Sequence, residues 1–509
     1  MSAGPTRGRV YLVGAGPGSL DLVTLRAREL VRLADVLVYD YLCNPAMLGW
    51  ARAGTEIIYA GKTASAHTLT QDEINALLVA RGGEGKTVVR LKGGDPYVFG
   101  RGGEEALVLA QAQIPFEVVP GVTSAIAAPA YAGIPVTHRG VASSVTFITG
   151  HEDPTKPESS LDWPQLARLR GTKVFLMGVE RLREISQRLM AEGADAATPV
   201  ALVRWGTTGR QESLDGTLAT IADLVEKRGF AAPAITVIGD VVSLRRELNW
   251  FEALPLHGKR IVVTRTQQQA GTLSARLARL GADVLEIPTI RINAAALGEK
   301  ERAKLSAMSG YFDWIVFTSP NGVTEFFNEF DRLNLDIRQL GPVKFAAVGP
   351  ATGDAVRDWR LQVDLQPEIY TTGKLAEAFS KIDIRGLRVC LPHGNKADPF
   401  LADYLRKNGA TVEEWTVYET TPETEDCTGA RARYLREGAH FITFTSASTV
   451  ENWHALQLQP VDGAPRPQAV SIGPVTSAEL QNLNYQEVAE APGATIHSLI
   501  ETICRLAIE

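Results

Sequence analysis

The chain has 509 residues, with 52 lysines and arginines against 58 aspartates and glutamates, which gives a formal net charge of −6 at pH 7. Its 45% hydrophobic and 22% charged residues are ordinary for globular proteins, and they exclude a largely disordered chain, a collagen and a coiled coil. The mild acidity is unlike the basic excess of dedicated nucleic-acid binders. At roughly 100–200 residues per domain, the length predicts about three or four domains.

The cysteines and the N-terminal segment bear on the compartment. Cys43, Cys390, Cys427 and Cys504 form neither a C-x-x-C pair nor a His–Cys cluster, so we expect no disulfide framework and no metal site. The segment MSAGPTRGRV lacks the apolar core of a secretory signal. The sequence also contains no run of about 18 apolar residues, which a membrane span would need. We therefore expect a cytoplasmic protein with neither a membrane nor a nucleic-acid partner.

Short apolar, β-branched runs alternate with helical-period segments along the chain. This alternation predicts βαβ units with mostly parallel sheets, and therefore an α/β fold. The clearest predicted strands are Val10–Val13, Val36–Tyr39, Val88–Leu91, Thr146–Thr149, Ile235–Ile238, Ile261–Thr264 and Ile315–Thr318. The polar, proline-containing segment 151–160 predicts a linker between two lobes, and segment 250–259 predicts the main domain boundary.

The C-terminal half contains an internal duplication. The matched positions are Gly281 with Gly409, Thr318-Ser319 with Thr445-Ser446, and Gly349 with Gly473. Several matches at nearly constant separation are hard to obtain by chance, and the unit is too long for a solenoid repeat. We therefore expect two similar α/β lobes. Hydroxyl and N–H groups in such loops bind carboxylates at helix N-termini, although helix N-capping explains a single Thr-Ser pair equally well.

The first predicted strand ends in the glycine-rich segment Gly14–Ser19 (GAGPGS), and Asp40 closes the next strand. Glycines let the backbone approach a ligand closely at a helix N-terminus. The spacing is similar to that of a dinucleotide-binding βαβ unit, but Ser19 stands where G-x-G-x-x-G requires glycine, and Pro17 stiffens the loop. A nicotinamide-dependent dehydrogenase and a plain glycine-rich turn both stay open for this motif alone.

Two further loops have a comparable composition. Residues 90–105 (RLKGGDPYVFGRGGEE) place glycines, arginines and acids between a strand and a helix. Residues 118–124 (VVPGVTS) precede a run of small residues through Ala132, which permits a flat ligand to pack closely and equally permits tight helix packing. We expect no metal at His138, because no partner lies at metal-ligand spacing.

Together with VTFITGH, VALVRWGT and IGDVVSLRRELNWF, these motifs resemble the tetrapyrrole methylase family over about residues 8–251. The similarity is greatest to uroporphyrinogen-III C-methyltransferases, which use S-adenosylmethionine. The resemblance implies two α/β lobes, about residues 8–145 and 146–251, with the cofactor in the cleft between them, and a homodimer. It implies cofactor contacts at Pro17, Gly93, Gly94, Asp95, Val98, Thr123, Ser124, Met177 and Gly206.

The same resemblance implies an acid/base pair at Asp40 and Lys62. Such an enzyme aligns an electron-rich pyrrole carbon with the methyl donor and then needs a base for the proton of the methylated macrocycle. Without the resemblance, Lys62 fits an ordinary surface lysine. Ser19 replaces a common aspartate and Tyr41 replaces a common arginine, which affects the substrate contacts expected near residues 41–44.

The segments RIVVTR, WIVFTSPNGV, AAVGPAT, LPHG, VYET, FITFTSASTV and SIGPVT resemble the uroporphyrinogen-III synthase family over about residues 258–505. The resemblance implies cofactor-free closure of hydroxymethylbilane with inversion of the last ring. It implies that Tyr418 assists departure of the hydroxyl, although a tyrosine that only packs on its lobe is the alternative. Implied substrate contacts are Arg265, Thr318, Ser319, Gly349, Thr445 and Ser446. The implied lobes are about 258–293 with 420–509, and 294–419.

The two resemblances describe consecutive reactions, because the product of the C-terminal half is the substrate of the N-terminal half. They imply a bifunctional enzyme that forms precorrin-2 from small-molecule tetrapyrroles, on the route to sirohaem or cobalamin. Two alternatives stay open. One is a methyltransferase for another tetrapyrrole with a non-catalytic C-terminal half, and the other is the nicotinamide-dependent dehydrogenase.

Overall fold

The computed structural model describes residues 8–52, 54–61, 69–151, 159–265, 267–308, 310–423, 425–426 and 428–508. The chain divides into two compact units, Met1–Ile287 with Asp426–Glu509, and Pro288–Glu425. The described residues form four five-stranded sheets with helices around them, which confirms the predicted α/β class. Within these ranges, every helix is too short or too polar to cross a membrane.

The first sheet is entirely parallel. Its strands are β1 (Arg9–Gly14), β2 (Val36–Tyr39), β3 (Glu56–Tyr59), β4 (Thr87–Lys92) and β5 (Phe116–Val119), and the helices of this region are α1 (Leu25–Leu33), α2 (Gln71–Gly83), α3 (Gly102–Gln111) and α4 (Ser124–Tyr131). The order β3-β2-β4-β1-β5 inserts β4 between β1 and β2. Dinucleotide-binding sheets place their first two strands side by side, so the topology disfavours the dehydrogenase alternative.

The second sheet is mostly antiparallel, so the prediction of mostly parallel sheets is wrong for this region. Its strands are β6 (Val145–Thr149), β7 (Thr172–Leu176), β8 (Pro199–Arg204), β9 (Glu212–Thr217) and β10 (Ala234–Ile238), and its helices are α5 (Trp163–Arg168), α6 (Leu182–Ala191), α7 (Ile221–Arg228) and α8 (Arg245–Leu248). In the order β6-β7-β10-β8-β9, only β6 and β7 run parallel. The loop between β8 and β9 is too short for a crossover helix, which requires antiparallel pairing.

The small residues of α4 pack in the core of this second sheet. Ala125, Ala128 and Ala132 are buried with apolar side chains of β7, β8 and β10. Small side chains let the helix lie close to the sheet. Tight helix packing is therefore the correct interpretation for these three alanines.

The first two strands of the third sheet along the chain are β11 (Arg260–Val263) and β12 (Asp283–Glu286), and α9 (Gln267–Arg279) connects them. The separate unit 288–425 follows. It contains β13 (Ile290–Ala294), α10 (Glu299–Ser306), β14 (Trp314–Phe317), α11 (Pro320–Arg332), β15 (Lys344–Ala347), α12 (Pro350–Asp358), α13 (Thr372–Phe379), β16 (Arg388–Gly394), α14 (Phe400–Lys407) and β17 (Thr411–Pro422). The chain then returns through α15 (Ala430–Glu437), β18 (Phe441–Phe444), α16 (Ala447–Ala455), β19 (Gln468–Ser471), α17 (Pro474–Asn482), β20 (Val488–Glu490) and α18 (Ile496–Ile508).

The duplicated positions lie at equivalent places in the third and fourth sheets. The third sheet has the order β12-β11-β18-β19-β20 and the fourth has β13-β17-β16-β14-β15. Four consecutive strands therefore correspond in the two sheets. In order, β12, β11, β18 and β19 of the third sheet match β17, β16, β14 and β15 of the fourth. Ser319 and Ser446 each follow the third of these strands, and Gly349 and Gly473 each follow the fourth.

Candidate functional site

Three glycine-rich loops meet at the carboxyl ends of β1, β4 and β5. The amide of Gly16 donates to the carbonyl of Gly94 (3.2 Å), and the amide of Gly94 donates to the carbonyl of Gly16 (2.7 Å). A Cβ on Gly14 would lie 2.5 Å from Cα of Gly121, and a Cβ on Gly121 would lie 2.2 Å from the carbonyl oxygen of Gly94. These backbones approach so closely because none of the three loops carries a side chain at the contact.

Asp95 connects the second of these loops to the third. Its carboxylate accepts hydrogen bonds from the amide of Tyr97 at Oδ1 (2.8 Å) and from the amide of Gly121 at Oδ2 (3.0 Å). The amide of Val98 donates to the Asp95 carbonyl (3.4 Å). Because both carboxylate oxygens already bind backbone amides, Asp95 shapes the loops.

The second sheet joins this group through the loop between β8 and β9. Thr123 is 8% exposed and precedes α4, and a Cβ on Gly206 would lie 2.4 Å from Cβ of Ala128 on that helix. The amide of Ser19 donates to Oγ1 of Thr207 (3.1 Å). Elements of the first and second sheets therefore hold the glycine-rich loop that contains Pro17.

Met177 lies at the end of β7 with a left-handed backbone (φ 58°), which is uncommon outside glycine. Its side chain is 51% exposed. A Cβ on Gly150 would lie 2.3 Å from Cα of Gly178, so the loops after β6 and β7 touch beside Met177. Within the described residues, hydrogen bonds and ring contacts do not join Met177 to the other predicted cofactor residues.

Asp40 directly follows β2 and lies beside the second glycine-rich loop. Its Oδ1 accepts the amide of Leu42 (3.1 Å), and its Oδ2 lies 3.7 Å from a guanidinium nitrogen of Arg90. A Cβ on Gly93 would lie 2.5 Å from Cβ of Leu42, so the two loops are in contact. Lys62, the predicted partner of Asp40, lies outside the described residues.

A buried charge cluster beneath Asp40 was missed by the sequence analysis. Arg90 and Lys92 are 4% exposed, and Glu105 is 1% exposed. Oε1 of Glu105 accepts from Lys92 (2.8 Å) and from Arg90 (3.4 Å). Burial, together with the charge of Arg90, lowers the pKa of Lys92. The sequence does contain a signal for this cluster, because the strand TVVRLK has two cations in an otherwise apolar run. Cations in a buried strand indicate acidic partners, since buried charges are usually paired.

Both departures from the methylase pattern contact the loop between β8 and β9. Ser19 donates its amide to Thr207, as described above. The ring of Tyr41 meets the ring of Trp205 edge-on, with centroids 5.7 Å apart. The guanidinium carbon of Arg210 lies 4.1 Å from the centroid of Trp205. The two unusual residues therefore share one neighbouring loop.

In the unit 288–425, Tyr418 and Ser319 form a hydroxyl pair. The Tyr418 hydroxyl lies 3.1 Å from Oγ of Ser319, which also accepts the amide of Gly322 (3.1 Å) and thereby caps α11. A register shift between β16 and β17 occurs at His393 and Gly394. A Cβ on Gly394 would lie 2.4 Å from the ring of Tyr418, so glycine leaves room for the tyrosine.

The other predicted synthase residues belong to strand ends of both units. Thr318 follows β14, and Gly349 follows its parallel neighbour β15 in the unit 288–425. In the other unit, Arg265 follows β11, while Thr445 and Ser446 follow the adjacent β18. Oγ of Ser446 accepts the amide of residue 449 (3.3 Å), so the helix-capping interpretation is confirmed for this position. Burial lowers the pKa of Arg265.

The four α/β sheets and their loops are those of an enzyme-like chain, and two family models match separate parts of it. The model of "Tetrapyrrole (Corrin/Porphyrin) Methylases" matches residues 9–222. The model of "Uroporphyrinogen-III synthase HemD" matches residues 271–501. No residue is shared between the two matches.

Relatives extend this similarity across the chain. The porphyrin biosynthesis protein HemD of Ruminiclostridium josui is 37% identical over 500 residues, which cover 98% of each chain. A uroporphyrinogen-III C-methyltransferase of Bacillus subtilis (strain 168) is 44% identical over 361 residues, 71% of this chain and 74% of the relative. The S-adenosyl-L-methionine-dependent uroporphyrinogen III methyltransferase of Methanosarcina barkeri is 60% identical over 237 residues, 47% of this chain and 93% of the relative.

Among solved structures, uroporphyrin-III C-methyl transferase from Thermus thermophilus complexed with S-adenyl homocysteine is 39% identical, with a TM-score of 0.41, and the match covers 47% of this chain and 100% of that chain. From the family models and the relative that spans the full length, the chain belongs to the tetrapyrrole methylase family in its N-terminal half and to the uroporphyrinogen-III synthase family in its C-terminal half.

Replacing Gly121 with alanine is expected to weaken binding of S-adenosylhomocysteine by about tenfold or more, roughly 1.4 kcal/mol. The new Cβ would lie 2.2 Å from the Gly94 carbonyl oxygen and would push the three loops apart. Isothermal titration measures the effect. Gly103→Ala is the matched control, because its Cβ meets nothing within 4 Å. Equal affinity in both variants would contradict the importance of the loop contact.

Proposed function

We propose that the N-terminal half transfers methyl groups from S-adenosylmethionine to uroporphyrinogen III, and that the C-terminal half makes uroporphyrinogen III from hydroxymethylbilane. The joined loops at Gly16, Gly94 and Gly121 carry the proposal for the first half. Two methylations give precorrin-2, an intermediate on the route to sirohaem or cobalamin. The relative from R. josui, a porphyrin biosynthesis protein that matches 98% of the chain, supports a role of the whole polypeptide in porphyrin biosynthesis.

The loops fit a nucleoside-containing methyl donor. Backbone free of side chains at Gly93 and Gly94 lets a ligand approach closely, and Thr123 and Ser124 offer hydroxyls at the start of α4. When bound, S-adenosylmethionine supplies an activated methyl group. In this proposal, the methyl donor also contacts Pro17, Val98, Met177 and Gly206. The residues of the chain then mainly orient the substrate, which is a proximity effect.

Asp40 serves as the base in this scheme. Its carboxylate follows β2 and lies beside the loop of Gly93, with the buried Arg90 at 3.7 Å. Methyl transfer to a substituted pyrrole carbon leaves that carbon without hydrogen and the macrocycle with a positive charge, and a positioned carboxylate accepts the proton that the macrocycle then loses elsewhere. Lys62 completes the acid/base pair, as the family resemblance implies.

In the C-terminal half, Tyr418 assists departure of the substrate hydroxyl. Its hydroxyl pairs with Ser319 (3.1 Å), which fixes the orientation of the phenol on β17. A phenol so oriented donates a hydrogen bond to the leaving oxygen. In this proposal, the carboxylates of the substrate bind to Arg265, Thr318, Gly349, Thr445 and Ser446. No cofactor is required, because the remaining task is to hold the chain in the geometry that closes with inversion.

We assign residues 8–251 to the methylase, with lobes of about 8–145 and 146–251, and residues 258–509 to the synthase. The synthase lobes are about 258–293 with 420–509, and 294–419. We further propose a cytoplasmic homodimer that associates through the methylase half. The buried free thiols of Cys43 and Cys390 suit a reducing compartment. Sedimentation of the full chain at several concentrations tests the dimer, and a constant monomer mass would contradict it.

Ligand titration tests the methylase proposal against the dehydrogenase alternative. We expect saturable heat of binding with S-adenosylhomocysteine and none with NAD. The protein with S-adenosylmethionine and uroporphyrinogen III should then give a doubly methylated product by mass spectrometry. Binding of NAD with no binding of S-adenosylhomocysteine would overturn the proposal. Methyl-donor binding without methylation of uroporphyrinogen III would redirect it to another tetrapyrrole.

A further inference from the structure

Arg210, in the loop between β8 and β9, is a partly buried cation that has no acidic partner among the residues the structure describes. Its guanidinium stacks on Trp205 at 4.1 Å. Within the part of the chain that the structure describes, this guanidinium makes neither a hydrogen bond nor an ion pair. Burial and the positive charge of Arg433 lower the pKa of Arg210. A stacked guanidinium keeps its hydrogen-bond donors available in one plane.

The acids whose charges act on Arg210 are Asp283 and Glu437, and both already pair with other arginines. Asp283 accepts from Arg433 at Oδ1 (2.9 Å) and from Arg260 at Oδ2 (2.8 Å). Oε2 of Glu437 lies 2.8 Å from Arg260 and 3.1 Å from Arg433. These two acids and two arginines form a neutral network. The charge of Arg210 is therefore left uncompensated beside it.

Arg210 lies in an open pocket whose walls come from both halves of the chain. Trp205 and Glu212 flank it from the methylase half, and Arg260, Asp283 and Glu437 line the opposite wall. Arg204, at the end of β8, lies 3.8 Å from Glu212, so this pair adds no net charge. The pocket therefore offers one uncompensated cation next to an aromatic ring.

The pocket adjoins the residues proposed for methyl transfer. Trp205 immediately precedes Gly206, and its ring contacts Tyr41, which immediately follows Asp40. Arg210 is thus separated from the proposed base by two aromatic side chains. Because two side chains lie between them, a group that contacts Arg210 would be a substituent of the macrocycle rather than its reacting carbon.

We propose that Arg210 binds a carboxylate substituent of the tetrapyrrole held by the methylase half, with Trp205 as the platform for the ion pair. The inference rests on the proposed function and adds a specificity-determining residue to it. A planar guanidinium matches a carboxylate with two parallel hydrogen bonds, which a lysine cannot reproduce. Partial burial makes this pair stronger than an exposed one.

Arg210→Gln tests the inference, with Arg183→Gln as the control. Arg183 is an exposed arginine of the same lobe, and it pairs with Asp223 (2.7 Å) and with Glu226 (2.9 Å). We expect Arg210→Gln to raise KM for uroporphyrinogen III about tenfold with little change in kcat, as loss of one charge-assisted pair predicts. The difference from wild type should shrink as salt concentration rises. Arg183→Gln should leave KM unchanged.

Two further measurements separate carboxylate binding from a structural role. Affinity for S-adenosylhomocysteine and the unfolding temperature should stay the same in Arg210→Gln, and Arg210→Lys should restore KM only in part. An unchanged KM, or a raised KM accompanied by equal losses of cofactor affinity and unfolding temperature, would overturn the inference. If the wild-type protein itself fails to methylate uroporphyrinogen III, the proposed function fails instead.

Discussion

Replacing Asp40 with asparagine is expected to slow methylation of uroporphyrinogen III by about 10²–10⁴-fold, the usual contribution of a positioned proton acceptor. Asparagine keeps an oxygen for the hydrogen bond from Leu42 (3.1 Å) but cannot accept the proton. Binding of S-adenosylhomocysteine should be retained, because the three glycine-rich loops do not depend on this side chain. Stopped-time assays of methylated product at saturating methyl donor measure the effect.

The matched control for this substitution is Asp195→Asn. Oδ1 of Asp195 accepts the amide of Ala197 (2.9 Å), two residues along the chain, in the same local arrangement as Asp40 with Leu42. It therefore reports the cost of removing a carboxylate from such a turn. We expect wild-type methylation in the control. Wild-type methylation in Asp40→Asn would remove Asp40 from the mechanism.

Tyr418→Phe is expected to lower the formation of uroporphyrinogen III from hydroxymethylbilane by about 10²-fold, because the phenol can no longer donate to the leaving hydroxyl. The ring, which contacts Gly394, stays in place. Methylation of added uroporphyrinogen III should be unaffected. The type III isomer, separated from the spontaneous type I isomer by chromatography, measures the synthase reaction.

Two further variants serve as comparisons for Tyr418→Phe. Tyr404→Phe removes another phenol of the same unit, on α14, and should leave the synthase rate unchanged. Ser319→Ala removes the hydroxyl at 3.1 Å and should reduce the rate less than Tyr418→Phe. A normal yield of the type III isomer from Tyr418→Phe would favour the alternative that this tyrosine only packs on its lobe.

Local patterns predicted the parts of the fold that follow from local rules. Apolar runs such as Val10–Val13 became buried parallel strands, because helices cover both faces of the sheet. The repeated Thr-Ser and Gly-Pro positions marked equivalent strand ends in two sheets. The contact between Gly14 and Gly121 explains the glycine at each position, but periodicity could not show that loops so distant in sequence meet.

Long-range pairing determined what the sequence analysis missed. The antiparallel β8–β9 hairpin depends on a short loop, and β10 pairs with β8 only in the folded sheet. The partners of Arg90 and Lys92 include Glu105 on α3, which no local spacing reveals. Arg210 was inconspicuous for the same reason, since its unpaired charge is apparent only when the acids around it are seen to be occupied.

The most direct test of the whole account supplies freshly made hydroxymethylbilane to the purified full-length protein, with and without S-adenosylmethionine. Products are oxidised, separated by isomer and weighed by mass spectrometry. The account predicts the type III isomer without the methyl donor and a doubly methylated product with it. Formation of the type I isomer alone under both conditions would contradict the synthase assignment and, with it, the claim that one chain performs two consecutive reactions.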